Sequence, residues 1–313
     1  MNLRPLGRSG IAIAPLVLGG NVFGWNTDQQ TSSAILDAFV DAGFNAVDTA
    51  DAYSRWAPGH VGGESETVIG RWLKQSGKRD KVVIATKVGA DMGEGKCVRK
   101  DYILRAAEAS LRRLGVETID LYQTHYDDEV TPVEETLEAY AKLIGDGKVR
   151  AIGASNMTPA RLQDSLDTAR KRGLPRYESL QPLYNVYDRK FEADFAPICR
   201  DHGIGVIPYY GLAAGFLTGK YRSVADAEKN PARGGRVKGY FTERGFAVLK
   251  VLDGVAARHN ATPAQVALAW LIAQPIVTAP IASATSLDQL NDIMKAPRLK
   301  LSADDLKVLD VPG

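Results

Sequence analysis

Eight times along its 313 residues this chain repeats one pair of signals, a short apolar run and then a stretch with apolar residues at helical spacing. No other feature restricts the fold so much. Strands that alternate with helices run parallel, and a parallel sheet needs both faces covered. Eight such units in a chain of this length fit a closed (β/α)8 barrel, the TIM barrel, better than a doubly wound open sheet. No G-x-G-x-x-G follows the first strand, which counts against a dinucleotide-binding open sheet. No shift in composition marks a boundary, so residues 1–313 read as one domain.

In chain order, residues 3–13 read as an N-terminal β-hairpin turning at Gly7-Arg8-Ser9-Gly10. Strands are predicted at 15–18, 44–47, 82–86, 119–123, 149–153, 178–180, 204–207 and 277–281. Helices are predicted at 31–42, 64–75, 101–114, 132–144, from 159 onward, and at 191–202, 241–259, 263–273 and 287–295. Gly43 closes the first helix, Asp101 caps the third, Pro132 occupies a first turn, and Thr158-Pro159 opens the fifth. Residues 215–239, rich in glycine and charge, read as a long functional loop. Additional C-terminal helices and a short tail complete the chain.

Composition excludes several classes of function. A net charge of +2 gives no footing for nucleic acid or an anionic membrane. Cys97 and Cys199 stand far apart, with neither metal spacing nor a disulfide framework, as in a reducing cytoplasm. The first residues lack the apolar core of a signal peptide, and no apolar run reaches the length of a membrane span. A cytoplasmic protein is the expectation.

The strand ends carry the chemistry. The second strand turns polar at Asp48-Thr49-Ala50-Asp51-Ala52-Tyr53. The third ends at Lys87, the fourth leads to His125, the fifth ends at Ser155-Asn156, the sixth at Gln181, and the seventh at Tyr209-Tyr210. In a parallel barrel these ends share one face, where barrel active sites lie. Metal hydrolysis usually wants two or more histidines there, and only His125 falls at a strand end. Nothing resembles a nucleophile elbow. A Schiff base on Lys87 is a competing reading. A phenol–lysine–carboxylate–imidazole set uses all four groups. An ammonium at Lys87 lowers the pKa of Tyr53, Asp48 holds Lys87, and His125 bonds a substrate oxygen. Such a phenol protonates the alkoxide that hydride transfer creates, and the hydride has to come from a cofactor. Ser155, Asn156 and Gln181 offer donors and acceptors to a carboxamide, and Tyr209 offers a ring face.

The chain resembles the aldo-keto reductases over nearly its whole length. The resemblance rests on the stretch from Asp48 to Tyr53, Gly63-Glu64-Ser65-Glu66, Ala85-Thr86-Lys87, and Asp120-Leu121-Tyr122-Gln123 leading to His125. It continues through the run from Gly147 to Asn156, through Gln181 with Tyr184-Asn185, and through Gly215-Phe216-Leu217-Thr218-Gly219-Lys220 after Tyr209. It implies Asp48, Tyr53, Lys87 and His125 as catalytic residues. It also implies a loop over the cofactor pyrophosphate, with Gly211, Leu212, Gly215, Lys220 and Arg222. Gly20 and Asn21 of the first strand end are assigned to cofactor binding as well. Where such proteins often carry a cation beside the adenosine 2′-phosphate, this chain has Ser283, Thr285 and Gln289, and Lys220 and Arg222 supply the positive charge instead. The family default is NADPH rather than NADH. The implied activity is reduction of an aldehyde or ketone, and the alternative is a cofactor-binding sensor or regulatory subunit. Trp25 and the loops at 22–30, 54–62, 89–100 and 221–239 are expected at the substrate mouth. Asp51 and Asp128 are read as structural hydrogen-bonders, and His259 as a partner of a helix dipole.

Overall fold

The computed structural model describes residues 2–228 and 235–310. Among the described residues the strands form two sheets. The first is the antiparallel hairpin β1 (Arg4–Pro5) and β2 (Ala12–Ile13). The second is parallel throughout: β3 (Val17–Gly19), β4 (Ala46–Asp48), β5 (Val83–Val88), β6 (Ile119–Thr124), β7 (Val149–Ser155), β8 (Tyr177–Gln181), β9 (Gly205–Val206) and β10 (Ile281–Ala282). They neighbour one another in chain order, with β10 beside β3. The remaining seam is closed by a Val206–Val277 bridge and by the N–H groups of Thr278 and Ile281 donating to Val206 O and Pro208 O at 2.8 and 2.9 Å. The predicted (β/α)8 barrel is therefore the observed architecture.

Two apolar layers hold it. Leu6, Ile11 and Ile13 of the hairpin pack with the lowest inward residues Val17, Ala46, Ala85, Leu121 and Ala151, so the hairpin plugs the bottom of the barrel. Gly7 makes this plug feasible. Its φ is +58°, and a Cβ there would stand 2.1 Å from the Glu178 carbonyl oxygen. Outside, α1 (Gln29–Asp41), α2 (Glu64–Ser76), α3 (Lys100–Leu114), α4 (Val133–Gly145) and α5 (Pro159–Arg172) lay their apolar stripes on the sheet.

Several local expectations change. Asp101 is not the cap of α3. Arg99 holds that position, and Asp101 instead bonds Arg105 one turn on, at 2.6 Å. The helix expected at 191–202 breaks into α6 (Phe191–Asp194) and α7 (Ala196–His202), because Pro197 has no N–H for the Ala193 carbonyl. The stretch 215–239 is not one loop. It holds a 3-10 turn at Ala213–Thr218, a helical turn at Val224–Glu228 and a second 3-10 turn at Lys238–Tyr240, while 229–234 lie outside the described residues. The tail after residue 295 contains a further helix, Ala303–Leu309, started by a capping box of Ser302 and Asp305. His259 does more than face a dipole: its Nε2 lies 2.7 Å from Asp305 Oδ2, tying the helix Glu243–His259 to that last helix. No described helix is long and apolar enough to cross a membrane.

Candidate active site

Strand period places the site. Side chains alternate across a strand, so residues two apart share a face. One step above the inward apolar layer of Ala46, Ala85, Leu121 and Ala151 stand Asp48, Lys87, Gln123 and Gly153. The barrel axis thus changes from apolar to charged within two residues on each of several strands. Gly153 is small for a reason, since a Cβ there would stand 2.3 Å from Ser179 Oγ.

Lys87 is fully buried, and all three of its ammonium protons are directed. They go to Asp48 Oδ2 at 2.6 Å, to the Thr49 carbonyl at 2.7 Å and to the Tyr53 hydroxyl at 2.7 Å. Asp48 Oδ2 also accepts from Tyr53 Oη at 3.2 Å, while its Oδ1 takes Gln181 Nε2 at 2.8 Å and Gln123 Nε2 at 3.2 Å. A buried ion pair is tolerable only when so completely bonded. Burial and the Asp48 carboxylate together push the Tyr53 phenol well above its ordinary pKa, and burial pushes Lys87 below its own. The expectation that Lys87 sets a low phenol pKa is corrected: at rest Tyr53 keeps its proton. His125 sits edge-on to Tyr53, ring centroids 5.8 Å apart, and lies against Tyr126. Burial and the nearby Lys87 charge push its pKa well below the usual imidazole range, so it is neutral. Its Nδ1 is buried without a partner.

On the other wall, Ser155 Oγ donates to the Gln181 carbonyl at 2.8 Å. Asn156, held at a φ of +43°, donates its amide to the His125 carbonyl and to Ser155 Oγ at 2.9 and 3.0 Å. Its Oδ1 accepts from the Tyr209 hydroxyl at 3.1 Å. With Gln181 Nε2 committed to Asp48, the Gln181 oxygen is the atom that this amide can offer a ligand. Beyond Tyr209 the backbone is left-handed at Tyr210, Ala213, Ala214 and Gly215, with φ of +55°, +48°, +56° and +98°. Runs of such residues make concave arrays of N–H groups that suit anions, and non-glycine residues enter this region at a cost.

A cavity of about 970 Å³ joins these groups at the C-terminal ends of the strands. Asn21, Asp48, Tyr53, His125, Ser155, Asn156, Gln181, Tyr209, Gly211, Leu212, Gly215, Lys220, Ser283 and Gln289 all line it. Lys87 lies beneath them. Gly20 lies behind the wall, its N–H on the Asp48 carbonyl at 2.7 Å. Thr285 also stands off the wall, its N–H and hydroxyl turned to Gln289 Oε1 at 3.0 and 3.1 Å. Arg222 is turned away, bidentate on Asp253 at 2.7 Å to each oxygen. Of the mouth residues, Arg55, Trp56, His60, Ala90, Asp91 and Arg236 line the cavity; Trp25 stands behind Trp56, ring centroids 5.6 Å apart. A larger but more open hollow of about 1080 Å³ at the far end of the barrel has no such cluster, its Arg79 and Arg150 being paired to Asp120.

Sequence reasoning missed Gln123, whose place two residues before His125 on the same strand face was the available signal. Asp292, outside the set of cofactor-binding residues assigned from the sequence, also lines the cavity and accepts from Gln265 Nε2 at 2.7 Å. Asp128 is the structural hydrogen-bonder expected, accepting from Val98, Val130 and Thr131. Asp51 fits that reading only in part: the Ala52 N–H bonds its carboxylate, while its Oδ1 is buried with no partner.

Comparison with known proteins decides the family. The model of the Aldo/keto reductase family matches residues 15–311. The chain belongs to the aldo-keto reductases. It is 34% identical over 313 residues to the uncharacterized oxidoreductase YrpG of Bacillus subtilis, covering 97% of this chain and 94% of that protein. It is 32% identical to Protein tas of Escherichia coli, covering 99% and 97%, and 31% identical to the L-glyceraldehyde 3-phosphate reductase of Escherichia coli, covering 99% and 92%. As an aldo-keto reductase it is an oxidoreductase of carbonyl compounds, of a family that uses nicotinamide cofactors.

Proposed function

We propose that this aldo-keto reductase reduces an aldehyde or ketone to the alcohol, with NADPH preferred to NADH and Tyr53 as proton donor. The observation that carries the reading is the Tyr53 hydroxyl, set on the cavity floor between Lys87 Nζ and Asp48 Oδ2, with neutral His125 beside it.

The cavity suits the cofactor. It is long enough to connect the Tyr53 floor with Gln289 and Asp292, and it offers amides at Asn156 and Gln181, a ring at Tyr209, and the left-handed backbone near residue 213. These groups would hold the nicotinamide carboxamide, the ring and the pyrophosphate in that order. When bound, the nicotinamide supplies the hydride that no side chain can.

The remaining steps belong to the chain. Neutral His125 has one N–H, and with Nδ1 buried and without an acceptor, that hydrogen belongs on the other nitrogen. There it donates to the substrate carbonyl oxygen and orients it toward Tyr53. As negative charge builds on that oxygen, Tyr53 releases its proton to it, and Lys87 stabilises the phenolate left behind. Asp48 keeps Lys87 aimed throughout.

Lys220 is the cavity-lining cation assigned to the 2′-phosphate. The relative named for a phosphorylated aldehyde makes such compounds the first to assay, and Arg55 and Arg236 on the cavity wall suit an anionic substrate. The test is NADPH oxidation with a panel of aldehydes and ketones, phosphorylated ones included. Tyr53→Phe is expected to bind NADPH normally and to lose turnover. Cofactor binding with no turnover of any carbonyl would favour the sensor reading, and a borohydride-trapped adduct on Lys87 would favour the Schiff-base one.

A further inference from the structure

We propose that Asp51 is a positioning residue whose state of charge sets how firmly Lys87 and Tyr53 hold their protons, and so biases the site between carbonyl reduction and alcohol oxidation. The inference rests on the function proposed above.

Asp51 lies inside the segment that delivers Asp48 and Tyr53, and its N–H donates to the Lys87 carbonyl at 3.3 Å. Its side chain is 3% exposed, and Oδ1 has no partner. Charge parity explains why it is left out. Lys87 is paired with Asp48 at 2.6 Å, and Arg113 with Glu66 at 2.6 Å. The second Glu66 oxygen accepts from the Thr86 hydroxyl at 2.6 Å, so both carboxylates are satisfied by cations and hydroxyls next to Lys87. Two cations meet two carboxylates, and Asp51 is a third carboxyl with no cation of its own.

The groups acting on it come from every neighbouring element. Glu66 on α2 repels its charge, Arg113 on α3 and Lys87 on β5 attract it, and the Ala52 N–H favours it. Tyr102 on α3 and Tyr122 on β6 interact with it as well, and the Tyr122 hydroxyl is likewise buried without a partner. Burial and Glu66 win, and the carboxyl is raised to about 7. Asp51 therefore changes charge within the working range of most enzymes. Ionised, it adds a negative charge beside Lys87, which keeps the ammonium charged and the phenol protonated, the state reduction needs. Neutral, it removes that charge and makes the phenolate easier to reach, the state alcohol oxidation needs.

The experiment has two arms. In the first, ¹³C NMR of the [γ-¹³C]aspartate-labelled protein follows the carboxyls with pH; one carboxyl is expected to titrate near 7 and to vanish in Asp51→Asn. A spectrum in which every carboxyl has titrated below pH 5 overturns the inference, whatever the enzyme does. In the second, kcat/KM is followed against pH in both directions. Asp51→Asn is expected to move the alkaline fall of reduction and the alkaline rise of oxidation to lower pH together, by about one unit, with NADPH affinity unchanged. Asp51→Glu, which keeps the charge, is expected to restore the wild-type profile. A merely structural role lowers both amplitudes without moving either limb, and that result also overturns the inference. Failure of wild-type turnover would instead overturn the function proposed, and the NMR arm would still decide the state of Asp51.

Discussion

The two ends of the cavity are built on different principles. At the Tyr53 end the paired charges are buried and bonded several times over: Lys87 makes three bonds, and Asp48 accepts from four donors. At the other end Ser283, Thr285 and Gln289 are uncharged, and much of their bonding is among themselves and their neighbours. Gln289 receives Thr285, and Ser283 Oγ donates to Asn21 Oδ1 at 2.5 Å. A buried charge with one partner removed is costly, so the first end tolerates almost no change. A half-exposed amide or hydroxyl exchanges its partner for water at little cost, so the second end is free to vary.

The contrast can be broken by mutation, and the largest effects belong to the Tyr53 end. Tyr53→Phe should lower kcat/KM for carbonyl reduction by about a thousandfold or more, of the size expected for losing an essential proton donor. Its NADPH affinity by fluorescence titration should stay within about twofold. Asp48→Asn leaves the Lys87 ammonium buried without a counter-ion and should cost roughly 3–5 kcal/mol in urea unfolding. A loss below about 1 kcal/mol would mean that the pair is less buried than described.

Asp51 gives a pH-dependent test of the same end. Its folded pKa is raised to about 7, so the folded state binds this proton more tightly than the unfolded chain does. The resulting stability is fully present below the ordinary carboxyl pKa near 4 and is lost as pH rises through about 7. Asp51→Asn has nothing to lose, so relative to wild type it should gain roughly 3–4 kcal/mol between pH 4 and pH 8.5 by urea denaturation. At the opposite end the effects should be small. Lys220→Ala should weaken NADPH about tenfold, roughly 1.4 kcal/mol, and leave NADH nearly unchanged. Gln289→Ala should alter either affinity by no more than about threefold, and a larger loss would show that this end is as fixed as the other.

Much of this was legible in the residues. The alternation of strand and helix gave the barrel because parallel strands leave few other arrangements, and polar residues at successive strand ends gave the catalytic face. What escaped notice was local or collective. Asp101 has the chemistry of a cap but lies one turn-position too far in, because Arg99 already has the extended backbone that a cap needs. Arg222 looked like a cofactor cation, but its forked pairing with Asp253 crosses 31 residues and cannot be read from spacing. The charge on Asp51 depends on Glu66 and Arg113 having already satisfied each other, which only the packed structure reveals.

The seam between β9 and β10 has a consequence for how the chain comes off the ribosome. Val17 of β3 pairs with Ile281, so the first core strand waits until residue 281 has been made before its outer neighbour exists. Until then β3 and the two-residue β9 are bare edges of an open sheet, each able to add a strand from another molecule. A nascent chain stopped short of residue 277 should therefore be the species that a chaperone has to shield. Strand β10 acts as a zip whose closing ends the exposure of both edges to aggregation.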